Sequence, residues 1–311
     1  MPIDQLGPYK ISKTLGRGGM GAVYLGTDER TGESVAVKVL TPALVEHETF
    51  RERFKAEIAS LEKLRHPNIV QLFGYGEQDQ YLYYAMELVD GTSLQDELSA
   101  SRRFDWREVV RLGVDICRAL KHAHDHGIIH RDIKPANIFA AKRGGIYDVA
   151  KLLDFGLVKT ADLEADSSLT QEGMVAGSPL FMAPEQATGE SIDERSDIYS
   201  LGLVAYFLLT GEPPFNDEKA IKVLLAHAHD VPTPPSQRNP AIPGDLEEVV
   251  LRCLEKDPEL RFQNVEALSA ALGDCASAHD WNRNLARDWW QNFGCPHKKK
   301  LDQEVLEGVL V

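Results

Sequence analysis

The chain has 311 residues, of which 43% are hydrophobic and 26% charged, enough for the core of one large or two modest domains. Lys plus Arg number 34 against 48 Asp plus Glu, a formal charge of -14 that argues against nucleic acid or another polyanion as the main partner. Residues 1–8 lack the pattern of a signal peptide, and the longest apolar run, 201–209, is far short of the roughly 20 residues that span a bilayer. The expectation is a cytoplasmic protein with no membrane segment within this chain.

Residues 9–15, 22–27 and 34–40 alternate or run apolar between turn residues, which predicts a meander of antiparallel strands. Between the first two lies Gly16-Arg17-Gly18-Gly19-Met20-Gly21. A dinucleotide fold would follow such glycines with a helix, but Ala22-Val23-Tyr24-Leu25 is strand-like, so they predict a hairpin tip whose amides can approach phosphates. Val35-Ala36-Val37-Lys38 then puts a lysine on an apolar strand, where it needs an anionic partner. Residues 48–64 form an amphipathic helix with Phe50, Phe54, Ile58, Leu61 and Leu64 inward, and Glu57, one turn before Leu61, is the natural partner for Lys38.

Residues 66–70 end that helix and begin a strand, residues 81–88 form the next strand, and Asp90-Gly91-Thr92 breaks the pattern. From there to about Gly273 the chain is mostly helical, which predicts a boundary at 89/90 with residues 87–91 as a hinge. A long helix over 106–126 leads into Ile129-His130-Arg131-Asp132-Ile133-Lys134-Pro135-Ala136-Asn137, where Pro135 prevents an uninterrupted helix. Ile128, Ile129, Ile133 and Ile138 pin the segment to a core while Asp132, Lys134 and Asn137 point elsewhere. Phosphoryl transfer asks for a carboxylate at the attacking hydroxyl, a cation at the moving group and oxygen ligands for magnesium, and these three side chains supply one each. Asp154, in Leu152-Leu153-Asp154-Phe155-Gly156 at the end of a buried strand, supplies a second metal carboxylate. Residues 140–149 read as a surface insertion with a hairpin tip at Lys142-Arg143-Gly144-Gly145. Asp197, opening the most apolar helix at 193–210, needs backbone amides around it.

The order of these motifs resembles the protein kinases, and Met182-Ala183-Pro184-Glu185-Gln186 with the Gly18–Gly21 loop most resembles the eukaryotic-like Ser/Thr kinases of bacteria. The resemblance covers residues 9–273. It implies an α+β, two-lobed protein kinase fold: an antiparallel-sheet N-lobe with one helix over 1–89, a larger, mainly helical C-lobe over 90–273, and an aromatic-rich tail over 274–311.

It also implies an enzyme that moves the γ-phosphoryl group of ATP, with Mg2+ or Mn2+ as its substitute, to Ser/Thr hydroxyls of protein substrates, with a homodimer among its partners. Lys38, held by Glu57, contacts the phosphates; Asp132 is the base and Lys134 neutralises the moving group; Asn137 and Asp154 bind the metal. Gly16, Gly18, Gly21, Val23, Ala36 and Phe139 line the nucleotide, Met86 guards the adenine pocket, and Glu87 to Val89 offer backbone groups to the ring. Asp197 braces the catalytic loop, and Arg261 pairs with Glu185.

Residues 154–185 are the implied switch, with Ser167, Ser168 and Thr170 in an acidic stretch and Ser178 where the class usually carries threonine. Arg131, Lys159 and Arg53 are the cations expected to converge on a phosphate there. Thr170 matches a site autophosphorylated in some bacterial kinases, and Glu172 stands where a second threonine falls, either as a weak permanent phosphate substitute or as a solvated side chain. Ser93 and Ala136 replace two substrate-reading glutamates, which weakens a demand for arginine in the substrate.

The four cysteines, Cys117, Cys253, Cys275 and Cys295, read as reduced thiols. Cys275, His279, Cys295 and His297 match no strong zinc spacing, and Trp281, Trp289, Trp290 and Phe293 predict a docked helix instead. Two rival functions remain: a pseudokinase scaffold, if 140–149 or the tail obstructs the active site, and a small-molecule phosphotransferase, against which Ala183-Pro184-Glu185 argues.

Overall fold

The computed structural model describes residues 3–18, 21–41, 45, 48–78, 80–100, 104–143, 146–155, 179–275 and 284–287. Among the described residues, those up to Val89 form one compact unit and those from Asp90 onward a second. Their folds and the chemistry of each are described separately.

The first unit is built on a six-stranded antiparallel sheet in the order β1-β2-β3-β4-β6-β5: β1 (Gln5–Leu6), β2 (Tyr9–Gly18), β3 (Gly21–Asp28), β4 (Ser34–Leu40), β5 (Leu72–Gln78) and β6 (Tyr81–Glu87). The meander matches the sequence pattern, and β4 has the bounds the alternation predicted. β2 runs on to Gly18 because it stays paired with β3, through two register shifts, as far as Gly18 opposite Gly21. Gly21 has φ +145°, and a Cβ there would collide with the Val39 carbonyl, so this end of the hairpin admits only glycine. The fifth strand starts at Leu72, after a turn at 67–68 and an isolated bridge at Ile69, rather than within 66–70.

Because paired residues share a face, the register divides the sheet cleanly. Val35, Val37, Val39, Tyr83 and Ala85 face one way and are buried against Leu6 and Tyr9. Val23, Lys38 and Tyr84 are in line on the other face, beside Leu25, Ala36 and Met86. Helix α1 (Glu48–Leu61) packs on that second face, since Phe54 meets the Tyr84 ring at a centroid distance of 6.1 Å. Phe50, Phe54, Ile58, Leu61 and Leu64 are all buried, although the helix ends at Leu61 and Leu64 follows a turn.

The second unit has a three-stranded sheet, β7 (Gly91–Ser93), β8 (Ile138–Arg143) and β9 (Ile146–Leu152), and a set of helices. Helix α2 (Leu94–Ser99) follows β7. Helix α3 (Trp106–His124) opens on Asp105, whose carboxylate accepts the Arg107 amide at 2.9 Å. Short α4 (Pro184–Thr188) precedes α5 (Glu194–Thr210), capped by Asp193 and buried along most of its length, so its apolar residues surround it rather than forming a stripe. Around it lie α6 (Ala220–His229), α7 (Pro235–Arg238), α8 (Gly244–Cys253) and α9 (Val265–Asp274). Gly202 on α5 is where α8 comes closest, because a Cβ there would strike the Cys253 side chain.

The expectation of a surface insertion at 140–149 is corrected. Its strands are structural: Ala140, Ala141, Asp148 and Ala150 are buried, β7 pairs along one side, and Arg111 of α3 bonds the Asp148 carbonyl. Cys117, Cys253 and Cys275 are free, buried thiols, with burial raising all three pKa values, that of Cys253 to about 12. Of the proposed zinc ligands, His279, Cys295 and His297 lie outside the described residues, as do Trp281, Trp289, Trp290 and Phe293. Within the tail, residues 284–287 are helical and Ala286 is buried.

Candidate active site

In the second unit, residues 128–137 leave α3 through Gly127 (φ +71°) and run without regular structure into a 3-10 turn, Pro135–Asn137. Ile133 and Ile138 are buried as expected, whereas Ile128 and Ile129 are half-buried. The backbone is fixed from beneath by Asp197, which is 1% exposed. Its carboxylate accepts the His130 amide at 2.9 Å, the Arg131 amide at 2.9 Å and the His124 Nε2 at 2.8 Å. This meets the expectation that backbone amides surround Asp197, and it holds Arg131 at φ +64°, a conformation that costs on the order of 1–3 kcal/mol unless its surroundings enforce it.

Asp132 is the centre of the loop's polar contacts. Lys134 Nζ lies 2.8 Å from its Oδ2, and Asn137 Nδ2 donates to the same oxygen at 3.0 Å and to the Asp132 carbonyl at 2.8 Å. Asn137 is nonetheless only 6% exposed, with its amide drawn onto Asp132. With Nδ2 so committed, Oδ1 is the atom left to face a cation. Asp154 follows β9 with φ +49° and is tied to the same loop, since the Leu153 amide donates to the Asn137 carbonyl at 2.9 Å.

Two residues to which the sequence reading gave no role are part of this construction. His130 is fully buried; its Nδ1 accepts the Asp132 amide at 3.2 Å, its Nε2 donates to the Leu153 carbonyl at 2.9 Å, and its ring lies 4.5 Å from that of Phe155. Burial lowers its pKa against the pull of the Asp197 charge, which fits a neutral ring with both nitrogens used. Gln186 accepts the Ala183 amide at 3.1 Å and donates to the Arg131 carbonyl at 3.0 Å, joining the start of α4 to the loop. A buried histidine between two acidic motifs was the available signal for the first; nothing local marks the second.

Glu185 and Arg261 form the expected pair, with bonds of 2.8 and 2.9 Å and both side chains buried. Ser93 is the buried N-cap of α2, bonded to Asp96 in both directions, while Ala136 is exposed. Phe139 is half-buried on β8, opposite Lys151.

In the first unit, Val23, Ala36, Lys38 and Met86 share the sheet face described above, and Glu57 lies on α1 one turn beyond Phe54. Lys38 and Glu57 are half-buried, and Lys38 Nζ stands 5.7 Å from the Tyr84 ring centroid. Gly16 and Gly18 are exposed, Arg53 is exposed, and Glu87 is bonded through its amide to the Gln71 carbonyl at 2.8 Å, with Val89 half-buried beyond it. Lys159, Thr170, Glu172 and Ser178 lie outside the described residues.

One unit thus carries a glycine-ended hairpin with a lysine on the adjoining strand, and the other an Asp-Lys-Asn loop braced on a buried aspartate, within an α+β fold. The protein kinase domain model matches residues 9–272, and the chain belongs to that family, whose members use ATP and a divalent metal ion. It is 42% identical over 273 residues to the serine/threonine-protein kinase Pkn1 of Myxococcus xanthus, covering 88% of this chain and 39% of that protein. It is 40% identical over 314 residues to the serine/threonine-protein kinase PknB of Mycobacterium leprae, covering 96% of this chain and 49% of that protein. The chain thus spans less than half the length of these relatives. Among solved structures, the Mycobacterium tuberculosis PknI kinase domain is similar with a TM-score of 0.69 and 28% identity, over 88% of this chain and 97% of that one. No described helix is long and apolar enough to cross a membrane.

Proposed function

We propose that this chain is a serine/threonine protein kinase that transfers the γ-phosphoryl group of ATP to hydroxyls of protein substrates. The observation that carries this reading is the Asp132 carboxylate, held by Lys134 and Asn137 on a loop whose backbone is bonded to Asp197. A carboxylate so fixed orients an incoming hydroxyl and accepts its proton as the oxygen attacks phosphorus. Lys134, beside it, neutralises charge on the moving group.

Lys38, steadied by Glu57, engages the ATP phosphates, with the amides around Gly16, Gly18 and Gly21 over them and Val23, Ala36 and Phe139 against the base. The backbone at Glu87 and Val89 bonds the adenine edge. Asn137 and Asp154 would hold Mg2+, since both present the hard oxygen donors that ion prefers, with Mn2+ as a substitute. When bound, the ion supplies neutralising charge at the β- and γ-phosphates. Residues up to Val89 are the nucleotide-binding lobe, residues 90–273 carry the chemistry, and ATP as substrate puts the protein in the cytoplasm.

Autophosphorylation at Thr170 regulates the enzyme, with Arg131, Lys159 and Arg53 as the cations that receive the phosphate, Glu172 giving basal activity and Ser178 as a further regulatory hydroxyl. Incubation with labelled ATP, Mg2+ and a generic basic protein, followed by phosphoamino-acid analysis, tests the reading. Label on Ser or Thr supports it; ATP binding without transfer to any acceptor overturns it in favour of a scaffold.

A further inference from the structure

Behind the catalytic loop, within the second unit, is a cavity of about 440 Å³ that the proposed mechanism does not use, a volume within the usual range of small-molecule sites. It is bounded by the last residue of α3, the segment that leaves that helix and the first turn of α5. Ile128 and Ile129, half-buried rather than buried, form its apolar wall.

Much of its polar lining is already bonded. Arg195 commits its guanidinium to Asp193, Glu259 and Gln263, and the Gln263 amide donates to the Pro258, Glu259 and Arg261 carbonyls. His124 and Glu194 are left. The His124 side chain is 6% exposed, and its Nε2 donates to the Asp197 carboxylate at 2.8 Å, since that oxygen can only accept. Its Nδ1 is buried without a hydrogen bond among the described residues. Glu194 Oε2 stands 3.4 Å from Nδ1, on a partly exposed side chain that has no other partner among the described residues.

Two acceptors side by side call for a donor between them. One nitrogen donating to both at about 2.9 Å needs them about 4.7 Å apart, so Glu194 has only to swing outward by about 1.3 Å from its 3.4 Å separation. The donor that fits is cationic. Glu194 supplies negative charge, and the cavity is at the C-terminal end of the 19-residue α3, where the helix dipole favours a cation. The opposing positive end of α5 is capped by the Asp193 carboxylate. A tetrahedral ammonium meets an imidazole nitrogen and one carboxylate oxygen together, whereas the planar guanidinium fork matches the two oxygens of a single carboxylate.

We propose that this cavity binds a primary alkylammonium group, of a free amine or of a lysine side chain, held between His124 Nδ1 and Glu194 with its alkyl stem on Ile128 and Ile129. Because His124 also holds Asp197, whose carboxylate accepts the His130 and Arg131 amides, occupancy is felt at the loop that carries Asp132.

Titration of the intact protein with n-butylammonium, followed by calorimetry and by the nuclear magnetic resonance of isotope-labelled histidine, tests this without phosphotransfer, so its failure leaves the kinase reading standing. The His124 Nδ1 and His130 amide signals should shift with one dissociation constant. Binding should be about tenfold weaker in Glu194→Gln, which keeps an acceptor and removes its charge, and unaltered in Glu218→Gln, the same charge change on an exposed side chain. Tetramethylammonium, which has the charge and no N–H, should not compete. Competition by a capped lysine peptide assigns the site to a polypeptide lysine; binding of butylammonium alone assigns it to a free amine. Equal binding to all three proteins, competition by tetramethylammonium, no binding, or an Nδ1 that carries a proton before amine is added overturns the inference.

Discussion

Replacing Arg261 by Met gives a stringent stability test of the second unit. Arg261 is fully buried, and every donor of its guanidinium is used: two bonds to Glu185, two to the Arg195 and Lys256 carbonyls, and Nε to the Glu255 carbonyl at 2.8 Å. Burial pushes the Glu185 carboxyl up, but bonds from Arg261 and Ser196 outweigh this and hold it below its ordinary value. Arg261→Met keeps most of the volume and strands the carboxylate. Leaving one partner of a buried pair uncompensated costs about 3–5 kcal/mol, against a typical total stability of about 5–15 kcal/mol.

Urea unfolding followed by the helical circular dichroism signal should show this loss at pH 7. The deficit should narrow toward pH 5 as Glu185 takes a proton, because burial is then the main influence left on it. Adding Glu185→Leu should return part of the stability, since two apolar side chains strand no charge. A loss below about 1 kcal/mol, or a double variant less stable than Arg261→Met, refutes the reasoning.

Asp197→Ala should lower phosphotransfer about 100-fold by releasing the His130 and Arg131 amides and misplacing Asp132, while ATP affinity, read by nucleotide titration, stays the same. Gly21→Val should cost the first unit about 1–3 kcal/mol, seen as faster amide exchange in β2 and β3, because the +145° φ and the Val39 carbonyl leave no room for a side chain. The buried, neutral His130 and His227 make the protein acid-sensitive. Their folded pKa values lie below the unfolded 6.5, so the stability is fully present above that pH and is lost as pH falls toward the value of about 4 for His227. The His227 share is roughly 3 kcal/mol at most, and the urea midpoint of His227→Gln should fall less between pH 7 and 4 than that of the wild type.

Patterns that depend on neighbours in sequence were legible. An apolar run between turn residues defined β4, and helical spacing named the buried residues of α1. Asp197 was also legible, because a charge in an apolar setting needs backbone amides around it, whereas the Glu185–Arg261 pair was implied only by the resemblance to the kinases. The reading failed where contacts join distant segments through ordinary residue types. Residues 140–149 read as an exposed insertion because the connection is longer than is usual among the kinases, yet Ala140 and Ala141 at its start pair with β7. The burial of Asn137 was not legible because the sequence does not reveal that Asp132 would claim its amide. Gln186, an ordinary polar residue, gained a role only through Arg131, 55 positions away.

The central claim is tested most directly by Asp132→Asn. This substitution keeps the size of the side chain and removes the proton acceptor that Lys134 and Asn137 hold in place. With purified protein, labelled ATP, Mg2+ and a basic protein acceptor, the account predicts Ser/Thr labelling by the wild type and about a 100-fold or greater loss in the variant, with ATP binding retained. Transfer at wild-type rate by the variant would contradict the assignment of Asp132 and the function built on it.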